Sequence, residues 1–374
     1  MTARRLFKFI IDNSLLLIAG TLAALIWANV APDGYHHFAE SLHFAVNDIG
    51  MVFFFALATK EVFEATLPEG ALSSPRQSAV PLLAAVGGMV VPAAAFLVLV
   101  GTLAHPELSR GWAVPCATDI AFSYMAARLM FKPRDAAIPF LLLLAIADDA
   151  FGLVILAVFY PSKAISLPTF ILLMAVAIVL AWLIRRMRVR SYWPYIALAG
   201  ACSWLALFKG GFHPALALVP IVPFLPHRKT DPGLFVEKEG HDTLTHFEHQ
   251  WKVPVQIVLG LFGLVNAGVA LSSVGTGTWI VVAALVLGKP LGIVSFTWLA
   301  ERLGFHRAPG LTWRDVLVLG TLAGIGFTVA LFFATAAFPP GSLLDEVKMG
   351  ALFSFIAAPV GIALGRLLRT RTAL

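Results

Sequence analysis

The chain has 374 residues, of which 59% are hydrophobic and 13% are charged, with a formal net charge of +6. Soluble domains carry about 25% charged residues, so the composition argues against a soluble protein and predicts an all-α polytopic membrane protein. The basic excess does not indicate nucleic-acid binding, because it follows the loop bias of a membrane protein. Cys116 and Cys202 fall within apolar segments, and we expect neither a disulfide nor a cysteine metal site.

The N-terminal segment places Arg4, Arg5 and Lys8 before an apolar stretch, as a secretory signal peptide would. The apolar stretch is longer than the hydrophobic part of a signal peptide, and no clean Ala-x-Ala cleavage site follows it. We therefore expect a retained first helix.

Apolar segments bounded by charged residues or by Pro and Gly clusters recur along the whole chain, and about 20 apolar residues suffice to cross a bilayer. The longest polar stretch, 227–252, is predicted to be a loop, so the chain forms a single membrane domain. The twelve predicted spans are 13–31, 46–66, 78–103, 112–130, 136–160, 167–185, 192–208, 212–226, 253–272, 278–300, 315–338 and 347–367.

The connecting loops support this count, because Lys and Arg collect on the cytoplasmic side of membrane proteins. With a cytoplasmic N-terminus, most of the 27 basic residues fall on cytoplasmic loops. Lys60 and Lys289 lie within predicted spans. The opposite side holds Arg110, Lys163, Lys209 and Lys348. Both termini are therefore predicted to be cytoplasmic.

Asp148 and Asp149 lie side by side in the middle of span 136–160, which contains no other charged residue. One acidic side chain at that depth costs on the order of 2.5–3.5 kcal/mol on insertion scales. Ionisable groups inside a membrane usually face the protein interior or a water-filled cavity and mark an ion or proton path. The pair predicts a transporter of a cation or of protons.

Asp119 and Lys289 also lie near the centres of predicted spans. If these spans are neighbours, three carboxylates and one ammonium form a cluster of net negative charge that suits a desolvated cation or protons. Successive helical residues differ by about 100° in direction, so Asp148 and Asp149 cannot share one partner. One can pair with Lys289 while the other faces a cavity. A salt bridge that only holds helices together would pair Lys289 with one of these carboxylates and leave another without a cation.

Two predicted spans look interrupted, 112–130 by Pro115 and 315–338 by Gly324 and Gly326. Paired interruptions in two halves of a chain are typical of transporters built from inverted-topology repeats. Such breaks leave partial charges at helix ends in the membrane. Asp119 and Lys289 would then also offset those partial charges.

A series of motifs, in order over most of the chain, resembles the NhaA-type sodium/proton antiporters. The matching stretches are Val46-Asn47-Asp48, Arg76-Gln77, Ala84-Ala85-Val86-Gly87-Gly88-Met89, Ala117-Thr118-Asp119-Ile120-Ala121-Phe122, Ala145-Ile146-Ala147-Asp148-Asp149, Asn266-Ala267-Gly268-Val269, Gly288-Lys289-Pro290-Leu291-Gly292 and Gly324-Ile325-Gly326-Phe327-Thr328. The resemblance implies a twelve-helix fold in which the fourth and eleventh helices are unwound and cross. It also implies the bacterial inner membrane and electrogenic exchange of Na⁺ or Li⁺ outward for protons inward, with no cofactor and no enzymatic activity.

By position, the resemblance makes Asp149 the residue that alternately binds Na⁺ and H⁺, and makes Asp148 its acidic neighbour, paired with Lys289. Thr118 and Asp119 would lie at the crossing, so a Na⁺ site would use Asp149, Asp148 and Thr118. Na⁺ is a hard cation that prefers oxygen ligands, as carboxylates and a hydroxyl provide.

Three stretches depart from the family pattern, the third at Thr245, where the family has an acidic residue before His246. The loop 32–46 is too short for the β-hairpin that joins protomers in well-known members, which leaves a homodimer through helix contacts as an open alternative. In the second span, Glu61 matches the family's acidic residue, whereas Lys60 is new. We expect Lys60 to extend its ammonium to the membrane interface.

The segment His246-Phe247-Glu248-His249, predicted to precede the ninth helix, resembles the family's pH-sensing segment. Histidine titrates near neutral pH, so His246 and His249, with Glu248 and Glu61, are candidates for a pH sensor or a cytoplasmic funnel. An ordinary solvated loop explains the same residues.

Two other functions use similar residues. A sodium-coupled symporter of an organic anion would need a roomy cavity with a cationic group, a role that Lys289 could fill. An intramembrane aspartyl protease also uses two carboxylates, but on different helices, one of them in a Gly-x-Gly-Asp setting that this sequence lacks. A channel is disfavoured because no filter-like repeat is visible.

Overall fold

The computed structural model describes residue 11 and residues 14–132, 135–227 and 242–370. Within these ranges every regular element is helical. The basic residues Arg4, Arg5, Lys8, Arg134, Arg228, Lys229, Lys238 and Arg371 lie outside the described residues. The chain divides into two compact units, one of Met1–Ser73 and Leu153–Gly268 and one of Ser74–Gly152 and Val269–Leu374.

Fifteen α-helices make up most of the described chain. They are α1 Leu15–Val30, α2 Pro32–His43, α3 Met51–Thr66, α4 Pro75–Thr102, α5 Ile120–Arg128, α6 Ala137–Phe159, α7 Leu167–Arg186, α8 Ala201–Gly210, α9 Thr243–Asn266, α10 Thr276–Ala283, α11 Lys289–Arg302, α12 Trp313–Ala323, α13 Phe327–Ala337, α14 Ser342–Phe353 and α15 Ala357–Thr370.

Shorter helical segments join these helices. The π-helical segments are Phe44–Gly50, Tyr195–Gly200 and Ala284–Gly288. The 3₁₀ segments are Pro106–Gly111, Val114–Cys116, Pro214–Leu216, Val222–Phe224, Leu271–Ser273 and Ser354–Ile356.

Six helical stretches of the described chain are long and apolar enough to cross a membrane, and the pair α12 and α13, bent by 48°, adds a seventh if it is one span. The protein is therefore a multi-pass membrane protein, and the count of twelve spans stays a prediction. The six stretches are Pro32–Thr66, Ser78–Thr102, Ala137–Phe159, Leu167–Arg186, Thr276–Arg302 and Ser342–Leu368.

The predicted loop 32–46 is wrong, because this stretch is helical. Pro32 occupies the first turn of α2, where its missing N–H costs nothing, and Asp33 adds a negative charge beside the positive helix end. The helix then continues through the π-helical segment Phe44–Gly50 into α3, so that Pro32–Thr66 is one helical stretch of 35 residues. Its polar first turns hid it from a search for apolar segments.

The predicted span 212–226 contains two short 3₁₀ turns, Pro214–Leu216 and Val222–Phe224, instead of a continuous helix. Each proline removes a backbone donor and clashes with the preceding helical turn. With four prolines in this stretch, an α-helix cannot propagate, although the composition is apolar. These prolines are Pro214, Pro220, Pro223 and Pro226.

The predicted loop 227–252 is wrong at its C-terminal end, because α9 begins at Thr243. The Asp242 carboxylate accepts a hydrogen bond from the Thr245 N–H at 2.8 Å and so caps this start. Residues 228–241 lie outside the described residues. A helix with an N-cap can extend beyond its apolar part, which hydropathy alone does not reveal.

Glycine pairs bring helices into backbone contact within each unit. In the first unit, a Cβ atom at Gly20 of α1 would lie 2.0 Å from the Gly260 carbonyl oxygen of α9. In the second unit, a Cβ atom at Gly87 of α4 would lie 2.3 Å from the Gly292 carbonyl oxygen of α11. A side chain at Gly20 or at Gly87 would separate the two helices that meet there. Gly87 and Gly292 therefore set the close approach of α4 to α11, the helix that begins with Lys289.

Candidate ion-binding site

Lys289 and Asp148 form a buried ion pair inside the second unit, with Lys289 Nζ 3.0 Å from Asp148 Oδ2. Their side chains are 0% and 1% exposed. Lys289 is the first residue of α11, directly after the π-helical segment Ala284–Gly288. Its ammonium also donates a hydrogen bond to the Cys116 carbonyl oxygen at 2.5 Å. The ammonium therefore joins α6 to the short 3₁₀ segment Val114–Cys116.

Thr118 brings a hydroxyl group to the same carboxylate. Its Oγ1 donates to Asp148 Oδ2 at 2.6 Å and lies 3.1 Å from the Ala323 carbonyl oxygen. A hydroxyl has one proton, so it can donate to one of these acceptors at a time. Asp148 Oδ2 thus has two close donors, the Thr118 hydroxyl and the Lys289 ammonium.

The other oxygen of Asp148, Oδ1, is buried and has no hydrogen-bond partner among the described residues. Buried polar atoms are rarely left without a partner, and each exception calls for an explanation. Asp149 follows on α6 and is partly exposed. Its side chain points about 100° away from that of Asp148. One buried and one more accessible carboxylate therefore lie on successive residues.

The segment before α5 is unwound where the sequence predicts an interruption. Ala117 has φ −77° and ψ 148°, an extended conformation, and α5 begins at Ile120. The second interruption lies between α12, which ends at Ala323, and α13, which begins at Phe327. Both breaks expose backbone groups that helix hydrogen bonds would otherwise satisfy.

The two unwound segments contact each other. The Asp119 N–H donates to the Ile325 carbonyl oxygen at 2.7 Å, and the Ser123 hydroxyl donates to the Leu322 carbonyl oxygen at 2.9 Å. Together with the Thr118 contact to Ala323, these bonds satisfy carbonyl groups at the end of α12. The break in one segment is therefore satisfied by polar groups of the other.

The carboxylate of Asp119 lies at the start of two helices. Oδ1 accepts from the Phe122 N–H at 3.4 Å, as an N-cap of α5. Oδ2 accepts from Thr328, from its N–H at 3.1 Å and from its hydroxyl at 2.5 Å, in the first turn of α13. Helix N-termini carry partial positive charge, so one buried carboxylate faces two of them.

The amino-acid sequence by itself assigns no role to Thr328, Ser123 or the Cys116 carbonyl group. Thr328 directly follows the glycine-rich interruption, and this was the one available signal. Ser123 lies one turn beyond Asp119 on α5. The role of a backbone carbonyl leaves no mark in the amino-acid sequence.

The predicted pH-sensing residues belong to the first unit, and His246, Glu248 and His249 lie in the first two turns of α9 rather than in a loop. His246 and His249 are exposed, and the His246 ring lies 5.8 Å from the ring of Tyr192. Glu61 is exposed on α3.

The expectation that Lys60 extends to the membrane interface is wrong. Its side chain is 1% exposed, its Nζ lies 2.9 Å from Glu64 Oε2, and it also forms an ion pair with Glu248. Two carboxylates compensate the ammonium inside the first unit, so the charge has no need to reach water. The pair with Glu248 links α3 to α9.

Comparisons with known proteins agree with the resemblance in sequence. The family model for Na⁺/H⁺ antiporter 1 matches residues 4–364. The chain is 47% identical to a Na(+)/H(+) antiporter NhaA of Desulfitobacterium hafniense, over 98% of this chain and 97% of that protein. It is 47% identical to one of Geotalea uraniireducens, over 96% of each, and 45% identical to one of Geobacter sulfurreducens, over 98% and 99%.

Among solved structures, the fold is similar to that of the sodium proton antiporter MjNhaP1 from Methanocaldococcus jannaschii, with a TM-score of 0.52 at 15% sequence identity. The match covers 94% of this chain and 89% of that one. The family match over nearly the whole length and the close relatives lead to one conclusion: the chain belongs to the Na⁺/H⁺ antiporter 1 family.

Proposed function

We propose that the protein is a secondary active antiporter that exports Na⁺, or Li⁺, in exchange for protons that enter the cell. The observation that carries this proposal is the carboxylate of Asp148, which is buried with one oxygen held by Lys289 and Thr118 and the other without a hydrogen-bond partner. Relatives named Na(+)/H(+) antiporter cover almost the whole chain.

The oxygen atoms of the site suit a small hard cation. Asp148 Oδ1 and the carboxylate of Asp149 supply charged oxygens, and the Thr118 hydroxyl oxygen keeps its lone pairs while it donates its proton to Asp148. A proton on either carboxyl group would occupy one of the same oxygens. Na⁺ and H⁺ therefore compete for one site, and this competition couples the export of one to the entry of the other.

Lys289 and Asp119 offset charge at the unwound segments. The ammonium faces the Cys116 carbonyl group, at the negative end of a short helical segment, and the Asp119 carboxylate faces the positive starts of α5 and α13. These fixed charges stabilise helix ends that would be costly inside a membrane.

Exchange is electrogenic if more proton charge enters than Na⁺ charge leaves. Each net charge that moves inward then gains about 2.3 kcal/mol for a membrane potential of about 100 mV. Alternating access, in which the protein changes face only when loaded with Na⁺ or with protons, prevents a leak of either ion.

The architecture that we propose has twelve spans with inverted-topology repeats, in which the fourth and eleventh helices are interrupted and cross. Contacts between the unwound segments at 118–119 and 323–325 support this arrangement. The distribution of Lys and Arg supports a bacterial inner-membrane protein with both termini in the cytoplasm. A homodimer through helix contacts completes the proposal.

The start of α9 is the part that we propose to respond to pH. His246 and His249 are exposed there, one turn or less from Glu248, which forms an ion pair with Lys60. A charge gained by either imidazole would act on this ion pair through the electrostatic field. Glu61, exposed on α3, is proposed to add charge to the cytoplasmic funnel.

The rival functions fit the geometry less well. A symporter of an organic anion needs an accessible cation, but the Lys289 side chain is 0% exposed and is engaged by Asp148 and Cys116. A protease needs two carboxyl groups that act on one peptide bond, whereas Asp148 and Asp149 point in different directions. The relatives are named as antiporters, which also argues against an enzyme.

Reconstituted vesicles with an imposed proton gradient test the proposal. We expect Na⁺ to dissipate the gradient, and a membrane potential to change the rate. Asp148→Asn and Asp149→Asn should abolish this dissipation. The addition of Na⁺ to the purified protein should release protons, which neither an enzyme nor a channel predicts. An Asp149→Asn protein that keeps both Na⁺ binding and exchange would overturn the proposal.

A further inference from the structure

Ser354 caps the start of α13, the helix that follows the interruption after α12. Ser354 lies in the 3₁₀ turn Ser354–Ile356 between α14 and α15 and is 0% exposed. Its Oγ accepts hydrogen bonds from the Gly326 N–H at 3.1 Å and the Phe327 N–H at 3.4 Å. It donates its own proton to the Ala351 carbonyl oxygen at 2.6 Å. The hydroxyl therefore satisfies two N–H groups at the start of α13.

The next residue, Phe355, packs against the first turns of both α5 and α13, the helices that follow the two interruptions. Its ring centroid lies 4.9 Å from that of Phe122 on α5 and 4.6 Å from that of Phe327 on α13. The rings of Phe122 and Phe327 are 5.5 Å apart, and both residues are 1% exposed. Three aromatic rings thus pack where α5 and α13 begin.

These contacts lead to the ion-binding site through a short series of hydrogen bonds. The N–H groups of Gly326 and Phe327 bind Ser354, and the next N–H group, that of Thr328, binds Asp119. Residue 118, adjacent to Asp119, donates its hydroxyl proton to Asp148. The N–H groups at the start of α13 therefore have two acceptors: the neutral Ser354 hydroxyl and the charged Asp119 carboxylate.

We propose that Ser354 and Phe355 are positioning residues for ion binding: they hold the starts of α13 and α5 so that Asp119 and Thr118 meet Asp148 in the binding geometry. The inference rests on the proposed antiport function. Without the Ser354 hydroxyl, two buried N–H groups lose their acceptor, and the nearby anionic acceptor is Asp119. A shift of Asp119 toward these groups would move its neighbour Thr118 away from Asp148.

The test uses the full-length protein, purified and reconstituted in vesicles, with apparent KM for Na⁺ and maximal rate measured per reconstituted protein. We expect Ser354→Ala to raise the KM for Na⁺ by about tenfold, the effect expected when a buried group loses a hydrogen bond, with a smaller change in maximal rate. Ser354→Thr keeps the hydroxyl and should restore a KM close to that of the wild type. Phe355→Leu, which changes packing but leaves Ser354 intact, should shift the KM in the same direction by less.

The matched control is Ser295→Ala, the same substitution on α11 of the same unit. Ser295 is exposed, and its hydroxyl donates to Gly292 of its own helix at 3.1 Å, so its loss should leave the KM unchanged. A Ser354→Ala protein that unfolds at lower temperature but binds and exchanges Na⁺ with the wild-type KM would show a purely structural cap and overturn the inference.

Titration of Na⁺ into the purified protein by calorimetry separates this inference from the proposed function. If the wild type exchanges Na⁺ but Ser354→Ala does not weaken Na⁺ binding, the inference alone fails. If the wild type binds Na⁺ without exchange, and Ser354→Ala weakens that binding, the antiport proposal fails while the positioning role stands.

Discussion

The ammonium of Lys289 lies 3.0 Å from Asp148 Oδ2, and both side chains are almost fully shielded from solvent. A buried charge that loses its partner is strongly destabilising, whereas replacement of both charges by neutral groups is often tolerated. The stability lost when one partner is removed therefore measures how strongly Lys289 and Asp148 compensate each other's charge.

We expect Lys289→Met to lower the free energy of unfolding by about 3–5 kcal/mol, because Asp148 then lies buried and uncompensated. The double variant with Asp148→Asn should recover part of that loss. Thermal unfolding of purified protein measures both. Lys163→Ala serves as the control, because Lys163 is exposed and its ammonium lies over the Phe208 ring. Equal losses for Lys289→Met and Lys163→Ala would contradict the expectation.

Thr118→Val removes a hydroxyl and keeps the side-chain volume. We expect a rise of about tenfold in the KM for Na⁺, because the hydrogen bond to Asp148 and one oxygen near the unpaired Oδ1 are both lost. Thr118→Ser should retain most of the affinity. Transport assays over a range of Na⁺ concentrations measure both variants. A valine variant with wild-type KM would exclude Thr118 from the site.

Asp119→Ala leaves the N–H and the hydroxyl of Thr328 without their acceptor. We expect a loss of about 1–3 kcal/mol in the free energy of unfolding, typical of buried groups left unpaired. Asp315→Ala is the matched control, since Asp315 is part of the capping box of α12 and its hydrogen bonds are exposed. That cap should be worth about 1 kcal/mol. Comparison of the two unfolding midpoints decides whether the buried carboxylate is the more important cap.

Lys60→Met should destabilise the first unit, because Glu64 and Glu248 are left facing each other without the ammonium between them. The free energy of unfolding should fall by about 3 kcal/mol or more, and adding Glu248→Gln to the same chain should make this loss smaller. The measurement is chemical or thermal unfolding of single and double variants. Additive effects of the two substitutions would argue against a coupled pair.

His246→Ala should shift the pH profile of exchange, because it removes an exposed ionisable side chain at the start of α9, two residues before Glu248. Rates measured in vesicles over a series of pH values test this. His36→Ala, an exposed histidine on α2, is the control and should leave the profile unchanged. An unchanged profile for His246→Ala would identify its position as an ordinary solvated helix start.

The sequence indicates the charges of the candidate site but not the hydrogen bonds that organise them. Asp119, Asp148 and Lys289 were identifiable because a charge inside an apolar segment is rare, and the glycines at 324 and 326 marked a break. Ser354 and Ser123 were not identifiable, because a serine within an apolar helix usually bonds to its own turn. Their acceptor and donor roles depend on packing between segments that lie far apart in sequence.

Hydropathy also set the limits of the fold prediction. It located the ends of α6 and α7 closely, but it missed the polar first turns of α2 and α9. There a proline in the first turn and an N-cap residue determine where the helix begins. It predicted a helix at 212–226, where proline prevents one. The burial of Lys60 depended on Glu248, which lies 188 residues away along the chain.

The backbone contact between Gly87 and Gly292 has a mechanical consequence. At this contact the Gly87 and Gly292 backbones approach closely, and the side chains of Phe296 and Val91 pack against them. Movement of one helix relative to the other would have to break this packing. We expect α4 and α11 to travel as a single rigid piece during the transport cycle. The ammonium of Lys289 then moves together with α4 and α11. A rearrangement that opens the site would change the distance between this ammonium and the carboxylate of Asp148.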